Sequence, residues 1–252
     1  MGQSDVPIKE LPALKVNQWL TAWSAVKWNK KEHRSEPQRW FYQFSISAGY
    51  LKALSGIYAR TTRDRTRGVE DFGIQRRHEK DRSDEIGRFV EYGYPWSDLS
   101  RKKRESPEFH DLRKPGWLPT AIVVNVLSGN DYRLGKKVVD DDLVEITDGK
   151  NGSAIVTLPE GFTGRGWRPK ALPPIEIIDG QHRLWAFEEA KLPDEFELPV
   201  VAFKHLDISW QAYLFYTINI KPKKINASLA FDLYPLLRTE DWLEKFEGHI
   251  NL

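Results

Sequence analysis

The chain has 252 residues, 40% of them hydrophobic and 29% charged, the balance of a soluble globular protein with one elaborated domain, or one domain and a small appendage. No apolar run approaches the ~20 residues that span a bilayer, and residues 1–6 hold no apolar signal core, so the cytoplasm is the expected compartment. Cysteine is absent, which excludes disulfides, thiol nucleophiles and cysteine-ligated metal centres, and a formal net charge of +2 requires any nucleic-acid contact to come from local basic patches.

Residues 1–13, with Pro7 and Pro12, read as an irregular lead-in, and the alternation over 15–20 predicts a strand. The charged tract 29–38 is a loop closed by Pro37. Aromatic content makes 39–46 a second strand, after which Ser47 is placed to cap a helix running through Leu51 and Leu54 and ending near Arg60. Of the ten tryptophans, Trp19, Trp23, Trp28 and Trp40 crowd this N-terminal part together with Lys27, Lys30, Lys31 and Arg34. Packing accounts for most such rings, although aromatics interleaved with basic residues are also the pattern that stacks bases while neutralising phosphates.

From 60 to 82 eight Arg or Lys face five acids, and Gly73-Ile74-Gln75-Arg76-Arg77 precedes a helix marked by Ile86, Phe89 and Val90. Arg101-Lys102-Lys103-Arg104 is a compact cationic run in a predicted loop, a form usually solvated but able to touch phosphates. The nearly unbroken apolar run 118–127 predicts a central strand covered on both faces. Residues 143–147 and 154–158 form a β-hairpin around 148–153, and the glycines of the 161–174 loop match no phosphate-loop fingerprint.

The most informative stretch is 174–187, Pro-Ile-Glu-Ile-Ile-Asp-Gly-Gln-His-Arg-Leu-Trp-Ala-Phe. It opens as a buried strand, breaks at Asp179-Gly180 and resumes with helical spacing at Leu184 and Phe187. A strand feeding a helix through glycine is suited to anions, because the amides of the first turn are unpaired and the helix dipole favours negative charge. Asp179 is expected as N-cap, and Arg183 as an exposed first-turn fork of donors. Taken singly, each also reads as an ordinary cap or surface ion pair. A core strand over 198–203 and a helix over 207–218 follow, and Asn219 stands at the helix end, where its amide caps the helix or reads a base or ribose. Lys221, Lys223 and Lys224 lie just beyond, and further helices are expected over 228–236 and 239–246. The abrupt end at Leu252 suggests that the natural domain extends further.

Asp179-Gly180-Gln181-His182-Arg183 resembles the signature of the DGQHR-domain family, which is related to the ParB/sulfiredoxin superfamily. Phe215-Tyr216-Thr217-Ile218-Asn219 and Gln75-Arg76 are similar to further segments of that family. The resemblance covers about 14–237 with gaps and is specific only at 179–183 and 215–219. It implies an α/β (α+β) fold, a mixed sheet flanked by helices with a ParB/sulfiredoxin-like core, as a domain over 1–237 with a helical tail over 238–252.

In function the resemblance implies nucleotide binding, as in the DpdB branch associated with inserting 7-deazaguanine into DNA. It points to ATP, with Mg²⁺, as cofactor, and to DNA and other proteins of the modification system as partners. In that reading Asp179, Gln181, His182 and Arg183 are catalytic, and Gln75, Arg76, Gly180, Arg183, Asn219 and Lys221 bind the nucleotide. Arg183 and Arg76 hold phosphates from two sides, Gln181 and His182 position the attacking water, and Asp179 meets Mg²⁺ through water. The alternative is a non-enzymatic DNA-binding regulator of the DndB branch, tied to DNA phosphorothioation. A nuclease ranks below both, since no tight Asp/Glu/Lys or HNH cluster stands out. No zinc site is expected, because His33, His78, His110, His205 and His249 lack ligand spacing.

Overall fold

The computed structural model describes residues 9–29, 31, 35–56, 80–133, 135–193 and 195–220. In chain order these form β1 (Glu10–Asn17), β2 (Trp40–Ser47), α1 (Ala48–Leu54), β3 (Ser55–Gly56), α2 (Lys80–Tyr92) and α3 (Arg101–Arg104). Then come β4 (Ile122–Val126), a small hairpin β5 (Tyr132–Arg133) and β6 (Lys136–Lys137), β7 (Glu145–Asp148) and β8 (Ser153–Thr157). The last described elements are β9 (Ile175–Asp179), α4 (Gln181–Glu189), β10 (Glu197–Lys204) and α5 (Ile208–Asn219).

Eight strands make one mixed sheet in the order β3-β9-β4-β10-β2-β1-β8-β7. β10 runs parallel to β4 and β3 parallel to β9, while the other pairings are antiparallel. With the flanking helices this is the expected α+β class. The strands bury alternate residues, Leu11 and Ala13 on β1 and Tyr42, Phe44 and Ile46 on β2, whereas central β4 is buried almost throughout. Leu184 and Phe187 of α4 close onto the same core as Leu51 and Leu54 of α1. A separate small core of Trp96, Leu99, Phe109 and Leu112 supports α3.

Several boundaries differ from the sequence reading. β1 begins at Glu10 and contains Pro12, a position paired with Ile155 of β8 but lying before the contact with β2 begins at Leu14. A proline is tolerated where a strand has a partner on one side only. Ser47 does cap α1, its hydroxyl accepting from the Tyr50 amide at 3.3 Å, but the helix stops at Leu54 because Ser55 joins the sheet beside Ile175. The cationic run 101–104 is one helical turn rather than a loop. The tract 57–79, the helices expected over 228–236 and 239–246, and the proposed tail fall outside the described residues.

Two features fix the neighbourhood of β9. Its pairing with β4 steps from Val124–Ile177 to Val123–Asp179, so the register skips Ile178. The second is Glu176, only 6% exposed in the middle of that strand. Its carboxylate accepts from Arg133 Nε at 2.8 Å and Nη2 at 2.9 Å, and from Gln211 Nε2 of α5 at 2.9 Å. Asn125 Nδ2 approaches the same carboxylate at 3.5 Å, while Asn125 Oδ1 accepts from the Leu206 amide at 2.8 Å. Gln211 is the one buried residue that α5 contributes among those described. This helix is therefore docked on β9 through polar donors rather than a broad apolar face.

Removing Glu176 leaves a nearly buried guanidinium and amide without their acceptor, a class of change that costs about 3–5 kcal/mol. Glu176→Ala is expected to lower the urea unfolding midpoint by a corresponding amount, the low end being favoured because the Arg133 side chain keeps 14% exposure. An unchanged midpoint would show that the network contributes nothing to stability.

Candidate functional site: a cationic cleft at a strand-to-helix turn

β9 ends at Asp179, and Gly180 turns the chain into α4 with φ 96° and ψ 11°. A side chain here would meet that left-handed strain and also find no room, since its Cβ would lie 2.6 Å from Ile122 Cδ1 and 2.9 Å from Arg183 Nη2. The first helical bond runs from the Leu184 amide to the Gly180 carbonyl at 3.2 Å. The amides of Gln181, His182 and Arg183 precede it in the first helical turn, where no carbonyl of the helix reaches back to them, and Gly180 itself has no side chain to cap them.

The expected N-cap is thus corrected: Gly180, not Asp179, occupies that position, because the strand continues through Asp179. The Asp179 carboxylate instead accepts from Arg183 Nη2 at 3.0 Å and from Asn219 Nδ2 at 2.9 Å. Arg183 is also not the exposed side chain the sequence suggested. Its Nη1 donates to the Thr120 carbonyl and, at 2.7 Å, to the Thr120 hydroxyl, and the side chain is only 16% exposed. Burial pushes the guanidinium below its ordinary pKa, Asp179 opposes that shift, and the nearby positive charge of Arg82 adds to it. Arginine remains cationic through such a shift.

Three elements enclose a cleft of about 500 Å³ of open space, its solvent-facing mouth included. The 179–183 turn forms the floor, Arg82 and Ile86 of α2 one wall, and Phe215 and Asn219 of α5 the other. α2 comes close because Gly87 is buried against Ala190 at the end of α4, where a larger residue would collide. On α5, Gln211, Phe215 and Asn219 follow at four-residue spacing and share one face. Gln211 holds Glu176 at one end of that face and Asn219 holds Asp179 at the other. Asn219 also donates to the Phe215 carbonyl at 3.0 Å, so the capping role read from sequence and the site role coexist.

Gln181 and His182 are 4% and 7% exposed, far more buried than their neighbourhood in the sequence suggests. Among the described residues Gln181 Oε1 has no hydrogen-bond partner, and the His182 ring meets Trp185 edge-on at 5.5 Å. The structure therefore brings together Asp179, Gly180, Gln181, His182, Arg183 and Asn219. Gln75, Arg76 and Lys221 lie outside the described residues. Sequence reasoning counted Arg82 only as one charge in a basic tract and gave Thr120 no role. The helical spacing of Arg82 and Ile86 was the available signal for the first, while the second depends on tertiary contact alone.

The donor set suits an anion better than a directly bound metal ion. Each Asp179 oxygen already accepts a hydrogen bond, and no group of three or more His, Asp or Glu gathers among the described residues. No family model matches the chain, and no curated protein matches it. A solved structure of the C-terminally truncated chromosome-partitioning protein ParB from Caulobacter crescentus, complexed with CTP-gamma-S, aligns at 12% identity and a TM-score of 0.33. That alignment covers 79% of this chain and 64% of the ParB chain, a likeness too loose to carry a residue's role across. Fold and cleft together define an α+β protein with a cationic pocket at the carboxyl end of a sheet strand.

Gly180→Ala tests the turn. A left-handed non-glycine residue costs about 1–2 kcal/mol, and displacement of Arg183 adds to it. In a chain of this size that corresponds to a melting-temperature drop of about 2–8 °C, measured by calorimetry. No drop would mean that the turn tolerates a side chain.

Proposed function

We propose that this cleft binds a nucleoside triphosphate through its phosphates, and that the protein is an ATPase serving DNA modification of the 7-deazaguanine-inserting type. The observation that carries the reading is the meeting of Arg82, Arg183 and the N-terminal turn of α4 at one cleft. Two guanidinium groups that repel each other, with Asp179 the one acid among the lining residues described, are stabilised by an incoming anion. The two segments singled out in the sequence, 179–183 and 215–219, also meet there, which supports a shared site.

In this reading a phosphate takes over Arg183 from Asp179, and the α4 amides receive a second phosphate oxygen. Gln181 offers its open Oε1 to the attacking water, and His182 beside it receives or orients that water's proton. Phosphoryl transfer needs mainly positioning and charge neutralisation, which such groups supply. Asp179 keeps lone pairs for a water carried by the nucleotide's Mg²⁺, while Asn219 and Phe215 face base or ribose. Gln75, Arg76 and Lys221 complete the binding set by their sequence resemblance. DNA and other modification proteins are the partners.

A second reading, a DNA-binding regulator of the phosphorothioation-associated type, is favoured by one observation: α3 presents exposed Arg101 and Lys102 as a helical turn.

Arg82→Ala and Arg183→Ala are the direct tests. Loss of a hydrogen-bonded charge corresponds to a roughly ten- to hundredfold fall in ATP affinity by titration calorimetry. Arg183→Ala should also lower the melting temperature, since it unties Thr120 and Asp179, whereas the exposed Arg82 should not. ATP affinity equal in wild type and both variants would overturn the phosphate reading. Phosphate release from ATP, GTP and CTP, with and without DNA, then separates the ATPase from the regulator.

Reversal of Arg101, Lys102, Lys103 and Arg104 to Glu is expected to weaken duplex binding and flatten its salt dependence. Each lost phosphate contact reduces the log–log slope by about 0.9. An unchanged slope assigns the run to solvation.

A further inference from the structure

Trp117 is 75% exposed, more than any other large hydrophobic side chain among the described residues. Single exposed apolar residues are common and need no explanation. Trp117 differs in how it is held. Gly116 before it is buried, and a Cβ there would run into the Phe89 carbonyl at the end of α2. Leu118 after it packs against the main core. Pro115 and Pro119 restrict the backbone on both sides. The Lys114 amide is tied to the Tyr92 carbonyl at 3.0 Å. The indole is thus presented on a stiff, doubly anchored segment, so little ordering entropy is lost when something stacks on it.

Its surroundings suit a nucleotide. Arg113 lies over the Trp96 ring at 4.4 Å and over Tyr92 at 5.4 Å, which fixes a cation close along the chain. Thr120, which receives Arg183 at the cleft, is three residues away, at most about 11 Å along an extended chain. A rigid exposed indole, four residues after a fixed cation and three before the threonine that holds Arg183, matches the stacking platforms on which nucleobases settle.

We propose that Trp117 is a nucleobase-stacking residue at the edge of the cleft. The proposal rests on the phosphate-site reading above. The stacked ring is either the base of the nucleotide whose phosphates occupy the cleft, or a base of a single strand whose phosphates meet Arg113 and Lys114.

The test compares wild type, Trp117→Ala and Trp117→Phe in binding ATP, inorganic tripolyphosphate and a short single-stranded deoxyadenylate. Alanine is expected to weaken the base-bearing ligand by about 5- to 150-fold. Phenylalanine should retain most of the affinity, tripolyphosphate binding should not change, and the melting temperature should stay put. A loss confined to ATP identifies the base of the bound nucleotide, and a loss confined to the oligonucleotide identifies a strand. Unchanged affinity of Trp117→Ala for both overturns the stacking role and leaves the phosphate site intact. An equal loss for tripolyphosphate also overturns it, since the ring would then act through packing. Failure of the wild type to bind ATP and tripolyphosphate overturns the phosphate site itself, and failure to bind the oligonucleotide as well overturns both.

Discussion

A carboxylate buried in the middle of a strand must be met by donors, and Glu176 recruits them from three places at once. Arg133 comes from the small hairpin, Asn125 from the neighbouring strand and Gln211 from α5. The apolar burial of α5 is slight, with Tyr213, Tyr216 and Ile218 all exposed. Its placement on the sheet follows from these polar ties more than from the hydrophobic effect. The wall of the cleft formed by Phe215 and Asn219 is therefore placed in large part by the hydrogen bonds of Glu176 at one end of the helix and of Asp179 at the other. Such a network specifies geometry strongly when every member is satisfied.

The site itself is a balance between two claims on Arg183. Asp179 and Thr120 hold the guanidinium within the protein, and burial disfavours its charge, while Arg82 adds repulsion. That arrangement is stable because the donors are satisfied, yet it leaves the cleft electrostatically short of negative charge. The cationic α3 turn stands apart, seated on its own small core rather than on the main one. Contacts made there need not disturb the turn at Gly180.

Much of this was legible in the sequence. The Ile-rich run ending in Asp-Gly announced a strand, a turn and a helix, and β9, Gly180 and α4 occupy those places. The alternation of β8 and the apolar density of β4 and β10 were equally plain, because periodicity and burial decide those elements locally. What stayed hidden depends on partners far along the chain. Glu176 looked like a polar interruption of an apolar run, since nothing local reveals that Arg133 and Gln211 converge on it. Arg183 looked like a surface side chain because Thr120, its second partner, is 63 positions away. Aspartate before a helix usually caps it, but here the strand runs on through Asp179 and the left-handed Gly180 takes that position. Arg82 was one charge in a tract until the fit of Gly87 against Ala190 brought its helix alongside.

The skipped register at Ile178 has a consequence for parity. Along a regular strand, positions separated by an odd number point to opposite faces, so Glu176 and Asp179 should not both meet one helix. They do, through Gln211 and Asn219, because the extra residue reverses the alternation between them while Ile175, Ile177 and Ile178 all stay buried. The site is thus encoded partly as a count of residues rather than as their identities. Regular pairing at the strand's present length would preserve every polar group discussed here and still turn the two carboxylates to opposite faces.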